Sequence, residues 1–312
     1  MNGLALLAGS AHPALADGIA KALGEPPVAR AVERFPDGEL HVELNESVCG
    51  RDVYVLQSMP ASPDAHLMEA LQLADAAKRD GARRVTAVFP YFAYARQDRR
   101  AKGRESVAAK LVAEMVAAAG VDRALVLDPH STALEGFFRI PYASITAAPL
   151  LAEALRPVAP RDGVVVAPDL GAVRLATRFA SILGLPAAHI HKSREGPRAV
   201  AVQRIAGDVR GRTPILVDDM ISTGGTLAAA ARALVAAGAA PIVAAAASHG
   251  LFAGPATEVL REAPIREFVV TDSVPLPAIG LSVRKVGVEV LLAEAIRRMH
   301  QDRSLDELAL RG

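Results

Sequence analysis

Short apolar runs of strand length alternate with helix-forming stretches along the chain, and that alternation leaves few folds open. Leu4–Leu7, Val53–Gln57, Arg84–Phe89, Ala124–Leu127, Val164–Ala167, Ile215–Val217, Ile242–Ala247 and Phe268–Thr271 predict strands. Between them, Pro13–Leu23, Asp64–Arg79, Glu105–Ala119, Pro149–Leu155, Ala172–Leu183 and a stretch from Gly225 predict helices. Strands separated by helices of this length give mainly parallel sheets with helices on both faces, an α/β architecture. Such sheets bind ligands at the C-terminal ends of their strands. A chain of 312 residues is long enough for two domains with separate cores. The pattern restarts between 144 and 149, so domains at 1–145 and 146–285 are expected. A last amphipathic helix, Lys285–His300 (about 286–300), is expected to pack back on the first.

Half the residues are hydrophobic, yet charges interrupt every apolar run before it reaches the length of a membrane span. The start, Met1-Asn-Gly-Leu-Ala-Leu-Leu, lacks a basic leader and reads as a first strand rather than a signal peptide. A single cysteine, Cys49, excludes an internal disulfide framework and suits a reducing cytoplasm. With 35 basic and 34 acidic side chains the charges nearly cancel, which gives no case for nucleic-acid binding. Tryptophan is absent and aromatics are few, which argues against stacking on single strands. The expected chain is cytoplasmic, with no nucleic-acid or membrane partner.

The stretch with the most chemistry is Thr213-Pro-Ile-Leu-Val-Asp-Asp-Met-Ile-Ser-Thr-Gly-Gly-Thr226. Ile215–Val217 reads as a buried strand, with Asp218 and Asp219 where it should end. Ser222, Thr223, Gly224, Gly225 and Thr226 then lead into an alanine-rich helix. A Gly/Ser/Thr turn at a helix N-terminus gathers free backbone N–H groups into an anion site, most often for phosphate. The two carboxylates suit sugar hydroxyls, or a metal ion that bridges to the sugar. One loop could thus hold both ends of a sugar phosphate. It is not a Walker loop, since no G-x-x-x-x-G-K-[ST] occurs. An ordinary βα turn with a capping Thr is the plainer alternative.

Four other segments fall at strand ends or turns. Arg34-Phe-Pro-Asp-Gly-Glu-Leu40 has a Pro-Asp-Gly core and reads as a hairpin tip. Pro90–Arg100 brings Arg96, Arg99 and Arg100 close to Lys102 and Arg104. This is a basic loop suited to phosphate or simply to solvent. His130 in Leu127-Asp-Pro-His130 and Asp169 in Ala167-Pro-Asp-Leu-Gly171 each follow a strand; either could be a hydrogen-bonder or a helix cap. His189-Ile-His191 precedes Lys192-Ser-Arg194, and an H-x-H pair without other soft ligands nearby is a weak metal signal.

Taken together these segments resemble the ribose-phosphate pyrophosphokinases, with the type I phosphoribosyltransferase fold. Val217–Thr226 is similar to that fold's sugar-phosphate loop, Phe35–Glu39 to the F-P-D-G-E segment, and Pro90–Arg99 to P-Y-F-x-Y-A-R-Q-D-R. Asp128–His130 with Gly136-Phe-Phe138 resembles D-L-H…G-F-F, and Pro168–Ala172 resembles P-D-x-G-G. Ser248–Ala256 and Val270–Pro275 resemble T-H-x-x-x-S-G-P-A and V-T-D-T-I-P. The resemblance implies two tandem phosphoribosyltransferase-like domains, each a mainly parallel sheet flanked by helices. It implies transfer of the β,γ-diphosphoryl group of ATP to ribose 5-phosphate, with Mg²⁺ as cofactor. Lys192 and Arg194 would be catalytic. Phe35, Asp37, Glu39, Arg96, Gln97, Arg99 and His130 would bind ATP. Asp218, Asp219, Ser222, Thr223, Gly224, Gly225 and Thr226 would bind ribose 5-phosphate, and His130 with Asp169 would bind the metal.

The resemblance also implies a homodimer as the minimum, stacking into a hexamer, with the Phe35 turn reaching a neighbour's ATP site. The chain departs from the pattern at Arg139, Ala172, Ser193 and Ser222, and it lacks an S-V-S-S-L-F ending. A phosphoribosyltransferase would share the Asp218–Thr226 loop without needing the two ATP segments. A silent regulatory subunit of the same fold would not need both Lys192 and Arg194.

Overall fold

The computed structural model describes residues 3–193 and 202–309. The first strand, β1 (Leu4–Ala8), is wholly buried and feeds α1 (Pro13–Leu23). Pro13 starts that helix where its missing N–H costs nothing, and the His12 ring accepts from Leu15 N. Gly24 ends it at φ 74°, a left-handed position that favours glycine. Next come β2 (Arg30–Arg34), β3 (Leu40–Leu44), β4 (Asp52–Leu56), α2 (Pro63–Arg79), β5 (Arg84–Phe89), α3 (Ala108–Ala118), β6 (Arg123–Leu127), α4 (Leu134–Phe137) and β7 (Tyr142–Ile145). The chain continues with α5 (Ala148–Leu155), β8 (Gly163–Ala167), α6 (Val173–Leu183), β9 (Ala187–Ser193), β10 (Val202–Ala206) and β11 (Thr213–Ile221). It ends with α7 (Gly225–Ala236), β12 (Ala244–Gly250), α8 (Ala256–Arg261), β13 (Phe268–Thr271), β14 (Val283–Val286) and α9 (Glu289–His300).

The chain divides into two compact units. One is Met1–Thr146 with Ser273–Pro275 and Gly287–Gly312; the other is Ala147–Asp272 with Leu276–Val286. The first unit has a parallel sheet in the order β1-β4-β5-β6-β7, plus a separate antiparallel hairpin, β2-β3. The second has a sheet in the order β10-β9-β8-β11-β12-β13-β14, parallel except for β10. The expected α/β class with parallel sheets is therefore the observed one.

Continuous apolar strands follow from burial on both faces. In the second unit Val164, Val166 and Leu216 pack with Leu227, Leu234 and Leu260 of α7 and α8. The alternate residues Val165, Ile215 and Val217 pack with Leu151, Leu155 and Phe179 of α5 and α6. β12 contributes Ala244–Ala247, buried on both faces, and small side chains there let helices approach closely.

Some boundaries moved for reasons that lie outside any local pattern. The strand expected at Ile215–Val217 runs from Thr213 to Ile221. The last helix begins at Glu289 because Lys285 belongs to edge strand β14, which pairs with β13. Strands β9 and β10 form an antiparallel pair.

In the first unit, α9 is tied to the sheet by a buried ionic network. Asp52, at the start of β4 and fully buried, accepts from both ends of the Arg84 guanidinium and from Tyr54 Oη, and lies 2.9 Å from His300 Nδ1. Arg84 and Arg123 also donate to the carbonyl of Met299, and Arg297 to that of Ala22. Burial opposes the charge on Asp52, but hydrogen bonds from Arg84 and His300 outweigh it and hold the carboxyl below its usual range. Removing one partner of such a network strands the other charges. Asp52→Ala should therefore destabilise the protein by about 3–5 kcal/mol. Asp302→Ala removes an ion-pair partner that is 73% exposed and should cost less than about 1 kcal/mol. Denaturant unfolding of the two variants checks the contrast.

Candidate active site

The Asp-Asp pair lies inside β11, not after its end as the sequence suggested. β12 extends to Gly250 and continues the ladder, pairing Asp218 with Ala247, Met220 with His249 and Ile221 with Gly250. On the other flank, pairing with β8 stops at Leu216. The two carboxylates thus stand on a strand that overhangs β8 while remaining fixed by β12. Asp169 follows β8 directly and caps its own turn, accepting from Gly171 N at 2.8 Å. Strand order alone therefore gathers Asp169, Asp218 and Asp219 at the C-terminal edge of one sheet.

Their electrostatics are unfavourable as they stand. Burial, then the charge of Asp219, its hydrogen bond and the charge of Asp169 push the Asp218 carboxyl up to about 8. Asp219 N also donates to Asp218 Oδ1 at 2.9 Å, which eases the charge only partly. A half-buried cluster of like-charged oxygen donors is what a hard divalent cation, or the hydroxyl donors of a sugar, would relieve.

The candidate phosphate loop follows at once. Ser222 and Thr223 lead to Gly224, and Gly225 and Thr226 open α7. The first turn of a twelve-residue helix leaves N–H groups without intrahelical acceptors, and the helix dipole adds positive potential. Gly224 has φ 77°, and a Cβ there would lie 2.6 Å from Leu260 Cγ. Gly225 differs: a Cβ would meet nothing closer than Thr223 Oγ1 at 4.0 Å, so it would project into the open side of the loop. The two adjacent glycines thus have separate reasons, one for the fold and one for the cradle.

In the first unit the turn Phe35–Glu39 caps the β2-β3 hairpin, with Phe35 N donating to Glu39 O and Asp37 Oδ1 accepting from Glu39 N. Asp37 and Glu39 are exposed, and Phe35, 48% exposed, stacks on His41. Glu39 also lines a groove of about 530 Å³ between the hairpin and α2, with Arg34, Asp64, Met68 and Gln72. Arg96, Gln97 and Arg99 are exposed on the loop after β5, with Gln97 N bonded to Tyr94 O and Ala109 N to Gln97 O. His130 is exposed just beyond β6. Arg139, the departure after Gly136-Phe-Phe138, pairs with Glu114 of α3 at 3.1 Å and so answers a local charge.

Lys192 lies on β9, paired with Gln203 of β10. Arg194 lies outside the described residues.

Residues 4–120 match the N-terminal domain of ribose phosphate pyrophosphokinase, and residues 196–310 match the phosphoribosyl synthetase-associated domain. The chain is 43% identical to a ribose-phosphate pyrophosphokinase of Caldanaerobacter subterraneus, over 98% of each chain. It is 42% identical to one of Gloeobacter violaceus, over 98% of this chain and 92% of that one.

The chain belongs to the ribose-phosphate pyrophosphokinase family. A solved phosphoribosylpyrophosphate synthetase of Mycobacterium smegmatis matches it with a TM-score of 0.89 and 41% identity, over 96% of this chain and all of that one.

As a member of this family, the chain has a set of supporting residues that sequence reasoning did not assign. Leu251 N and Phe252 N both donate to Ile221 O, and Ala253 N donates to Ser222 O. The segment Ser248–Ala256 therefore fastens the entrance of the phosphate loop, with Phe252 held at φ 43° and Leu260 filling the space beneath Gly224. Gly254-Pro255 within that motif is a turn dipeptide, but nothing in it names an acceptor. Among the described residues no three His, Cys, Asp or Glu side chains form a ready-made metal cage. A cation at the Asp169–Asp218–Asp219 edge would need ligands from substrate or solvent as well, which is usual for magnesium.

The raised Asp218 carboxyl has a pH consequence. From about pH 4 to 8 the folded protein keeps a proton that the unfolded chain has lost, so stability falls as pH rises, by at most about 1.4 kcal/mol per unit. It levels off above about pH 8, where both states are ionised. Asp218→Asn should flatten that slope in metal-free protein followed by denaturant unfolding at pH 5 to 9. The two glycines also separate. Gly224→Ala should cost about 2–4 kcal/mol of stability through its left-handed backbone and the Leu260 contact. Gly225→Ala should leave the melting temperature unchanged or higher while weakening ribose 5-phosphate binding roughly tenfold, as read by calorimetry.

Proposed function

We propose that this chain transfers the β,γ-diphosphoryl group of ATP to O1 of ribose 5-phosphate, giving 5-phosphoribosyl 1-pyrophosphate and AMP. The observation that carries this reading is that one chain, related along almost its whole length to ribose-phosphate pyrophosphokinases, pairs a sugar-phosphate loop with an arginine loop and an aromatic hairpin. A phosphoribosyltransferase would account for the first feature and leave the other two idle.

In this reading the backbone of Thr223–Thr226 holds the 5-phosphate, and Asp218 and Asp219 hold the ribose hydroxyls. Fixing the sugar at both ends orients O1 for in-line attack on the β phosphorus. Arg96, Gln97 and Arg99 bind the nucleotide phosphates and fix the donor. Lys192 and Arg194 supply cationic charge to the transferring group, where preorganised charge acts most in the transition state. His130 and Asp169 are each assigned to metal binding, and Mg²⁺ would supply charge neutralisation at the phosphates. No covalent intermediate is required, and Cys49, exposed, lies in none of the motifs.

Phe35, Asp37 and Glu39 are assigned to the adenine of a neighbouring subunit, so a homodimer is the smallest active form and a hexamer its stacked product. A two-fold interface is self-complementary, and each subunit would give its hairpin and receive the other's. Among the described residues no helix is long and apolar enough to cross a membrane. A nucleotide substrate and a lone thiol fit the cytoplasm.

The deciding measurement is the nucleotide product. Purified protein with Mg²⁺, ATP and ribose 5-phosphate should release AMP in step with phosphoribosyl pyrophosphate. ADP as the main product would mean attack at the γ phosphorus and would overturn the reading.

A further inference from the structure

Two loops of the first unit carry nucleotide-binding candidates: the one after β5, with Arg96, Gln97 and Arg99, and the one after β6, with His130. A side-chain pair joins them. Ser131 Oγ donates to Asp98 Oδ2 at 2.6 Å and accepts from Ala133 N at 3.2 Å. Ser131 is buried at 9% exposure, and Asp98 is half-buried while its neighbours Gln97 and Arg99 are exposed. The basic segment from Arg96 to Arg104 thus turns its carboxylate inward and its guanidinium groups outward.

Both loops also begin in backbone that non-glycine residues seldom adopt. Tyr94 has φ 64° and Asp128 has φ 38°. A loop entered through such a conformation keeps its shape only if contacts further along hold it. On the arginine loop the backbone bonds of Gln97 serve one side. The Tyr94 hydroxyl bonds to Asp64, and burial, then that carboxylate, raise its pKa. Toward the His130 loop, Asp98 makes a side-chain contact with Ser131.

We propose that Asp98 and Ser131 form a latch that holds the arginine loop in register with the His130 loop, so that both act as positioning residues for the nucleotide site. Neither side chain needs to touch ATP. A charge-assisted hydrogen bond is among the stronger single contacts a loop can make. Unlatched, the arginine loop would have to be ordered by the nucleotide itself, and that ordering cost appears as weaker binding. The proposal rests on the assignment of ATP to these loops.

Ser131→Ala removes one oxygen and little else. It should raise KM for ATP roughly tenfold, the size expected for losing a hydrogen bond to a charged group. The change in kcat should stay within about twofold, and KM for ribose 5-phosphate and the melting temperature should hold. Ser131→Thr keeps the hydroxyl and should restore ATP KM. Asp98→Ala should resemble Ser131→Ala, and the double variant should be no worse than Asp98→Ala, because both changes break one contact. An unchanged ATP KM in Ser131→Ala would overturn the latch. So would a joint rise in both KM values with a lower melting temperature, which marks general destabilisation. Calorimetry with ATP alone separates the latch from the assignment beneath it. Equal Kd values for wild type and Ser131→Ala overturn the latch only, whereas no ATP binding by the wild type overturns the nucleotide assignment itself.

Discussion

The pairing of β11 with β12 is the constraint on which the candidate sugar-phosphate site depends. Backbone hydrogen bonds along that edge carry β11 four residues past Val217, after β8 has stopped pairing at Leu216. A parallel ladder fixes register residue by residue, so the two carboxylates cannot slide relative to β8 and its Asp169. The same ladder sets where β11 ends, and therefore where the turn into α7 begins. The N–H groups of Leu251, Phe252 and Ala253 then hold the carbonyls of Ile221 and Ser222, so β12 governs both the strand and its exit.

Rigidity of this kind is built around groups that disfavour the ligand-free state. Asp218 is pushed toward its neutral form by burial and by two like charges. Gly224 and Phe252 occupy left-handed backbone. Such features persist because apolar packing on both faces of the second sheet over-determines them. The first unit shows the opposite use of buried charge. Asp52 is answered by Arg84 and His300, and the result is attachment of a C-terminal helix rather than a reactive group. Counter-charge decides the difference: Asp52 is paired with cations of its own unit, whereas Asp218 faces two like charges.

The glycines of the phosphate loop illustrate how adjacent identical residues can do unlike things. Gly224 is required by the protein interior, where Leu260 occupies the space a side chain would need. Gly225 is unconstrained by the interior and open toward the cradle. A motif such as S-T-G-G-T therefore mixes folding and binding requirements that a pattern match cannot separate.

The sequence by itself determined the class of fold, the strand-end motifs and the family, because those follow from local periodicity and from short spacings of chemically distinctive residues. Leu4–Leu7, Pro13–Leu23 and Val164–Ala167 were legible since each is an apolar run or an amphipathic turn pattern bounded by its own stop signals. Tertiary structure alone decided that Asp218 and Asp219 lie within a strand, because the residues of β12 that extend β11 are 29 positions further along the chain, as Ala247 is from Asp218. It alone placed Lys285 on an edge strand and Lys192 beside β10, since edge pairing depends on which neighbour is free to accept it. It alone set the Asp98–Ser131 contact and the seat of Leu260 under Gly224. Contacts between residues 33 or more positions apart are chosen by strand order and packing, and no local window of sequence contains both partners.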